Sequence, residues 1–120
     1  MQQGDAIAKF EALASAVRLD VYRLLMRQGP MGMVAGEIAT ALELAPTNLS
    51  FHLKTLSRAG LVTAVQEGRY QRYRAHLPSM LDLVAYLTEE CCGGEPALCA
   101  EVVALSKRLG ANSGWDAPAP

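Results

Sequence analysis

Apolar residues recur along the first half of the chain at helical spacing. Ala6, Ile7, Phe10, Leu13 and Ala14 fall close to i, i+3, i+4, i+7 and predict an amphipathic helix over residues 6–16. Val17, Val21, Leu24 and Leu25 repeat the pattern over 17–27. Gly29-Pro30 ends that helix, and Met31-Gly32-Met33 continues as loop. Glu37 to Leu42 reads as a short helix with Ile38, Ala39 and Leu42 inward. Glu43-Leu44-Ala45 is then a tight connection. Pro46 suits the first turn of the next helix, with Ala45 or Thr47 near its cap, and that helix runs through Ala59 to a terminating Gly60.

Past Gly60 the period changes. LVTAVQ is β-branched and alternating, Glu67-Gly68 is a two-residue turn signal, and RYQRYRAH alternates aromatic and basic residues, so a hairpin is predicted. Pro78 and Ser79 restart a helix whose apolar stripe is Met80, Leu81, Val84 and Leu87. Gly93-Gly94 breaks it, and Leu98, Val102, Leu105 and Leu109 predict a sixth helix over 96–109. Two helices joined by a tight turn and followed by a hairpin describe a winged helix-turn-helix. The expected fold class is therefore mainly α with a small β-hairpin wing, formed by one domain over residues 1–110. Residues 111–120, small, polar and proline-bearing, are expected to be a disordered tail.

Composition adds two points. Half of the 120 residues are hydrophobic (51%), which is rich for a small soluble monomer and implies apolar surface covered by a second subunit. No apolar run is long enough to span a bilayer, and MQQGDAIAKF lacks a basic segment followed by an apolar one, so no membrane contact and a cytoplasmic location are expected. The formal net charge of −1 hides an asymmetry. Between Asn48 and His76, Lys54, Arg58, Arg69, Arg72 and Arg74 stand against Glu67 alone, a local net charge of +4. Acidic residues gather later, at Glu89, Glu90, Glu95 and Glu101. A basic segment inside a neutral chain is the footprint of a phosphate-binding face.

That segment holds the candidate chemistry. In PTNLSFHLKTLSRAGLV, Leu49, Leu53 and Leu56 lie at i, i+4 and i+7 and must face the core. Thr47, Asn48, Ser50, Phe51, His52, Lys54 and Arg58 are then turned to other surfaces. Thr47, Asn48, Ser50 and His52 carry groups that hydrogen-bond base edges or phosphates, while Lys54 and Arg58 neutralise phosphates. On the hairpin, Arg69, Gln71 and Arg72 surround a glycine tip, where arginine suits the backbone or the minor groove. Tyr70 and Tyr73 read as sheet packing. The two histidines, His52 and His76, have no evident nucleophile–base companion, and no enzyme is expected. Three cysteines, Cys91, Cys92 and Cys99, fall within nine residues; an odd count so clustered describes a site rather than a disulfide framework.

Leu13, Ala14, Arg18 and Leu19, then EIATALEL, then LSFHLKTLSRAGLV, then the EGRYQRYR wing together resemble the ArsR/SmtB family of bacterial metalloregulators, over roughly residues 6–90. The resemblance implies a homodimeric repressor of operator DNA whose first and fifth helices form the dimer interface. The stripes Ile7, Phe10, Leu13 and Met80, Leu81, Val84, Leu87 suit that role. Many arsenic-sensing relatives carry a Cys-x-Cys pair where this chain has Val34-Ala35-Gly36, and zinc-sensing relatives use Asp and His ligands on the fifth helix, where residues 79–90 offer Asp82 and no histidine. What remains is CCGGEPALC, similar to a C-terminal arsenic site of another branch, in which a vicinal pair and a later cysteine hold the metalloid.

Trivalent arsenic is soft and thiophilic, and arsenous acid condensing with three thiols loses three waters to give a neutral product. Glu89, Glu90 and Glu95 around the cysteines disfavour a free thiolate but not such a neutral complex. The expected effector is therefore As(III), with Sb(III) binding similarly, at Cys91, Cys92 and Cys99. Open alternatives are methylarsenite held by Cys91 and Cys92 alone, zinc or cadmium bound by three cysteines and a glutamate, a redox response of the thiols, and a winged-helix module for protein interaction with no operator.

Overall fold

The computed structural model describes residues 1–90 together with Ala104, Lys107 and Arg108. Met1–Val84 forms one compact unit; a second begins at Ala85. The elements in order are α1 (Gln3–Leu13), α2 (Ala16–Gln28), a 3-10 turn (Gly29–Met31), β1 (Met33–Val34), α3 (Ala35–Leu42), α4 (Pro46–Arg58), β2 (Val62–Glu67), β3 (Tyr70–Ala75) and α5 (Leu77–Thr88). No described helix is long and apolar enough to cross a membrane. The expected sixth helix and the tail lie outside the described residues, apart from Ala104, Lys107 and Arg108, which are helical and exposed.

The first unit's core is the sum of the apolar stripes. Val21, Leu24 and Leu25 of α2, Ile38 of α3, and Leu49, Leu53 and Leu56 of α4 meet Leu61 and Val62, all buried. In α1 the stripe that the spacing predicts is not the face that meets the core. The helix turns Ala6, Lys9 and Ala12 inward, while Ile7 and Phe10 are 48% and 44% exposed. Ala6 and Ala12 let α1 lie close on its neighbours, Lys9 is the one long side chain buried with them, and Ile7 and Phe10 stay outside. The break to α2 also comes early, because the Ser15 hydroxyl accepts from the Arg18 amide and starts the second helix there.

The wing is three-stranded rather than a bare hairpin, in the order β1-β3-β2 and antiparallel throughout. Met33 pairs with Tyr73 and Val34 with Arg72. A two-residue strand leaves no period-2 signal, which is why the segment reads as loop. Gly32 permits the pairing: its φ is +61°, and a Cβ there would collide with the Tyr73 carbonyl oxygen and lie 2.7 Å from Arg74 Cγ.

Candidate nucleic-acid interface

α3 and α4 form the helix-turn-helix. Glu37 Oε1 accepts from the Val34 amide at 3.0 Å and opens α3. α3 ends on Glu43, held in the left-handed region at φ 54° with its amide on Ala39 and Thr40 carbonyls. Pro46 at the first turn and Ala45 at the cap, with no side-chain capping bond, start α4. α4 buries Leu49, Leu53 and Leu56, as their spacing predicts, and so presents its opposite side to solvent.

On that side Thr47, Asn48, Ser50, Phe51, Lys54 and Arg58 are exposed. Phe51, at 68%, is more exposed than residues of its kind usually are. Sequence reasoning left it out of the contact set, although its turn of α4 marked it as outward. His52 stands apart, half-buried on the flank toward α2. Its Nδ1 lies 3.3 Å from an Arg18 terminal nitrogen. Arg18 in turn donates from Nε to the Ala12 carbonyl at 2.6 Å and from its other terminal nitrogen to the Glu11 carbonyl at 3.4 Å. Arg18 was legible only as part of a motif; nothing in the spacing pointed to a histidine 34 positions away.

The wing divides its cations unequally. Arg72 Nε donates to both Glu67 carboxylate oxygens, at 3.0 and 3.1 Å, and a terminal nitrogen donates to the Met31 carbonyl at 3.1 Å. Arg74 Nε donates to the Pro30 carbonyl at 2.7 Å. Both arginines therefore tie β3 to the turn before β1. Gln71 donates to Gln66 at 3.1 Å and accepts from the Tyr73 hydroxyl at 2.9 Å. Lys54, Arg58 and Arg69 make no hydrogen bond or ion pair among the described residues. Of the five cations behind the local positive charge, these three are free to meet phosphate, and Arg69 stands at the turn between β2 and β3. Burial raises the Tyr73 phenol above its usual range.

α5 is pinned beneath the end of α4. The His76 amide donates to the Leu61 carbonyl at 2.8 Å, and the Ser79 hydroxyl donates to the Gly60 carbonyl at 2.7 Å. His76 Nδ1 sits 3.0 Å from the same hydroxyl. A serine–histidine pair thus exists where the sequence suggested none, but the single hydroxyl proton is committed to backbone carbonyls and the pair acts as a helix start. Along α5, Leu83 is buried and Met80 packs on the core, while Leu81 and Val84 are half-buried and Leu87 is 59% exposed. Leu13 of the α1 stripe also leans on the core. Among the described residues no three His, Cys, Asp or Glu gather as a metal-holding group, Asp82 included. Cys91, Cys92 and Cys99 lie outside the described residues.

A helix-turn-helix domain family matches residues 13–65, from the end of α1 to the middle of β2. No curated protein matches the chain. Among solved structures, the homodimeric winged helix-turn-helix DNA-binding domain of a possible ArsR-family regulator from Mycobacterium bovis is 32% identical, with 72% of this chain and 81% of that one covered and a TM-score of 0.58. HlyU from Vibrio cholerae is 28% identical over 72% of this chain and 97% of its own, at a TM-score of 0.58. An ArsR-like transcriptional regulator from Rhodococcus shares the fold at 22% identity and a TM-score of 0.65, covering 93% and 96%. With its helix-turn-helix, its three-stranded wing and these relatives, the chain belongs to the ArsR/SmtB family of winged helix-turn-helix transcriptional regulators.

Proposed function

We propose that the protein is an arsenite-responsive repressor that binds operator DNA as a homodimer and releases it when As(III) is captured by Cys91, Cys92 and Cys99. The family and fold are those of transcriptional regulators rather than enzymes. The observation that carries the effector reading is the CCGGEPALC run, three soft ligands following Thr88, the last residue of α5, after only Glu89 and Glu90. The exposed faces support the rest. Ile7 and Phe10 project from a helix that packs through Ala6, Lys9 and Ala12, which leaves an apolar stripe for a second copy. Thr47, Asn48, Ser50 and His52 then read bases, Lys54, Arg58 and Arg69 meet phosphate, and Gln71 and Arg72 hold the wing in place. Because the start of α5 is bonded to Gly60 and Leu61, just past α4, a change in α5 bears directly on the end of the recognition helix.

The test is release of a fluorescent duplex carrying the protein's own upstream region, followed by anisotropy against arsenite, antimonite, methylarsenite, zinc, cadmium and peroxide. Release by arsenite and antimonite at the lowest concentrations is expected. Release by methylarsenite alone would favour the two-cysteine site, by zinc or cadmium a thiolate metal site, and by peroxide a redox response.

A further inference from the structure

We propose that Arg18, which lies outside the recognition helix, is a positioning residue for DNA reading: it fixes the His52 imidazole as the Nε2–H tautomer, so that α4 offers a hydrogen-bond donor at that position. The proposal rests on the DNA-binding reading above and deepens it. A guanidinium carries five N–H donors, no acceptor, and stays protonated in any folded protein. At 3.3 Å from Arg18, His52 Nδ1 therefore accepts. A neutral imidazole that accepts at Nδ1 carries its proton on Nε2.

Arg18 is not free to release this constraint. Its Nε is bonded to the carbonyl of Ala12, a buried residue, and its other terminal nitrogen reaches the Glu11 carbonyl. The three bonds hold the guanidinium plane against the end of α1 and aim one N–H at α4. No described residue hydrogen-bonds the other ring nitrogen. Among the described residues the only buried side-chain polar atom without a partner is the Tyr22 hydroxyl, so His52 Nε2, which has no partner either, reaches solvent. The Phe51 ring stands edge-on to the imidazole, 6.1 Å away with an interplanar angle of 79°, on the exposed side of the helix.

A fixed donor selects its partner. It pairs with purine N7, guanine O6, thymine O4 or a phosphate oxygen, and is unpaired opposite the exocyclic amines of adenine and cytosine. Arg18 thus carries sequence preference without touching DNA, and does so from the corner between α1 and α2.

Two measurements decide this. In the full chain labelled with 15N-histidine, two-bond 1H–15N correlations report the His52 tautomer without DNA. Nε2–H is expected, with loss of a single tautomer in Arg18→Met. An Nδ1–H pattern in the wild type overturns the proposal, whether or not Arg18→Met folds, and so does an unchanged pattern in a folded Arg18→Met. The second measurement uses the duplex that the wild type enriches from a random-sequence library. Each purine is replaced by its 7-deaza analogue, each guanine by 2-aminopurine, which lacks O6, each thymine by 5-methyl-2-pyrimidinone, which lacks O4, and each phosphate by a methylphosphonate, one at a time.

One replacement is expected to weaken the wild type by about two- to ten-fold, the loss of one hydrogen bond, and to leave His52→Ala unaffected. A base-analogue position identifies a base partner, and a methylphosphonate position identifies the backbone. If no replacement separates the wild type from His52→Ala, His52 donates to neither and the proposal fails. Failure to enrich any duplex would instead overturn the DNA-binding reading, while the tautomer measurement stands on the free protein.

Discussion

Gly32 is the residue on which the third strand of the wing depends. Replacing it with alanine imposes two penalties that are separable within this chain. The first is conformational: φ +61° with ψ −167° is a region open to glycine almost alone, and an L-residue there costs about 1–3 kcal/mol. The second is steric. The new methyl would press on the Tyr73 carbonyl and on Arg74 Cγ at 2.7 Å. Tyr73 belongs to β3, the central strand, bonded on both sides, so the carbonyl has nowhere to move. Overpacking of this kind costs roughly 1–3 kcal/mol more.

The sum, roughly 2–6 kcal/mol, is a large part of a typical stability of about 5–15 kcal/mol. Gly29 supplies the control, having φ +63° and nothing within 4 Å of its Cβ position, so Gly29→Ala meets the first penalty alone. Gly36 supplies the second control, with open space and no positive φ, and Gly36→Ala in α3 is expected to be neutral or to stabilise by up to about 1 kcal/mol. Thermal unfolding followed by far-UV circular dichroism should rank the variants Gly36→Ala, Gly29→Ala, Gly32→Ala from most to least stable. The lowest should melt at least ~8 °C below wild type. Equal melting of Gly29→Ala and Gly32→Ala would refute the close approach of Gly32 to β3.

Four further outcomes follow from the same geometry. The buried Tyr22 hydroxyl has no partner among the described residues, so Tyr22→Phe should leave stability unchanged or raise it by up to about 1 kcal/mol in urea unfolding. Burial pushes the Tyr22 phenol up to about 12 from 10.0; the folded state favours the protonated form, so the wild type loses stability as pH rises from 10 through about 12, and Tyr22→Phe should flatten that alkaline limb. Lys54→Ala, Arg58→Ala and Arg69→Ala should each lower the slope of log K against log salt by about 0.9, whereas Arg72→Ala should act mainly on stability of the wing, because its guanidinium is already engaged. Ile7→Asp combined with Phe10→Asp should shift sedimentation from dimer to monomer with helix content retained; a dimer that survives both changes places the interface elsewhere.

Much of the fold was legible because its signals are local. Leu49, Leu53 and Leu56 report one helix face, Gly60 ends that helix at φ +78°, and the change of period after it marks the wing. In α5, with Leu81, Leu83, Val84 and Leu87 close together, several faces are apolar; the stripe of Met80, Leu81, Val84 and Leu87 is legible, but that Leu83 is the residue buried in the core is not. The apolar stripe of α1 is legible, but not that packing within the chain selects Ala6, Lys9 and Ala12 and leaves Ile7 and Phe10 outside. At the site, residue types and their outward placement were legible, but their engagement was not. Arg72 and Arg74 look like free wing cations until the chain brings the Met31 and Pro30 carbonyls beside them, 41 and 44 positions earlier. The link from Arg18 to His52 is hidden for the same reason.

The central claim is that three cysteines convert arsenite capture into DNA release, and anisotropy of the labelled protein–duplex complex tests it most directly. Wild type, Cys91→Ser, Cys92→Ser and Cys99→Ser are titrated with arsenite under reducing conditions. All four are expected to bind the duplex with equal affinity, and only the wild type should release it. Full release from any one of the serine variants at the wild-type arsenite concentration would contradict the three-thiol site.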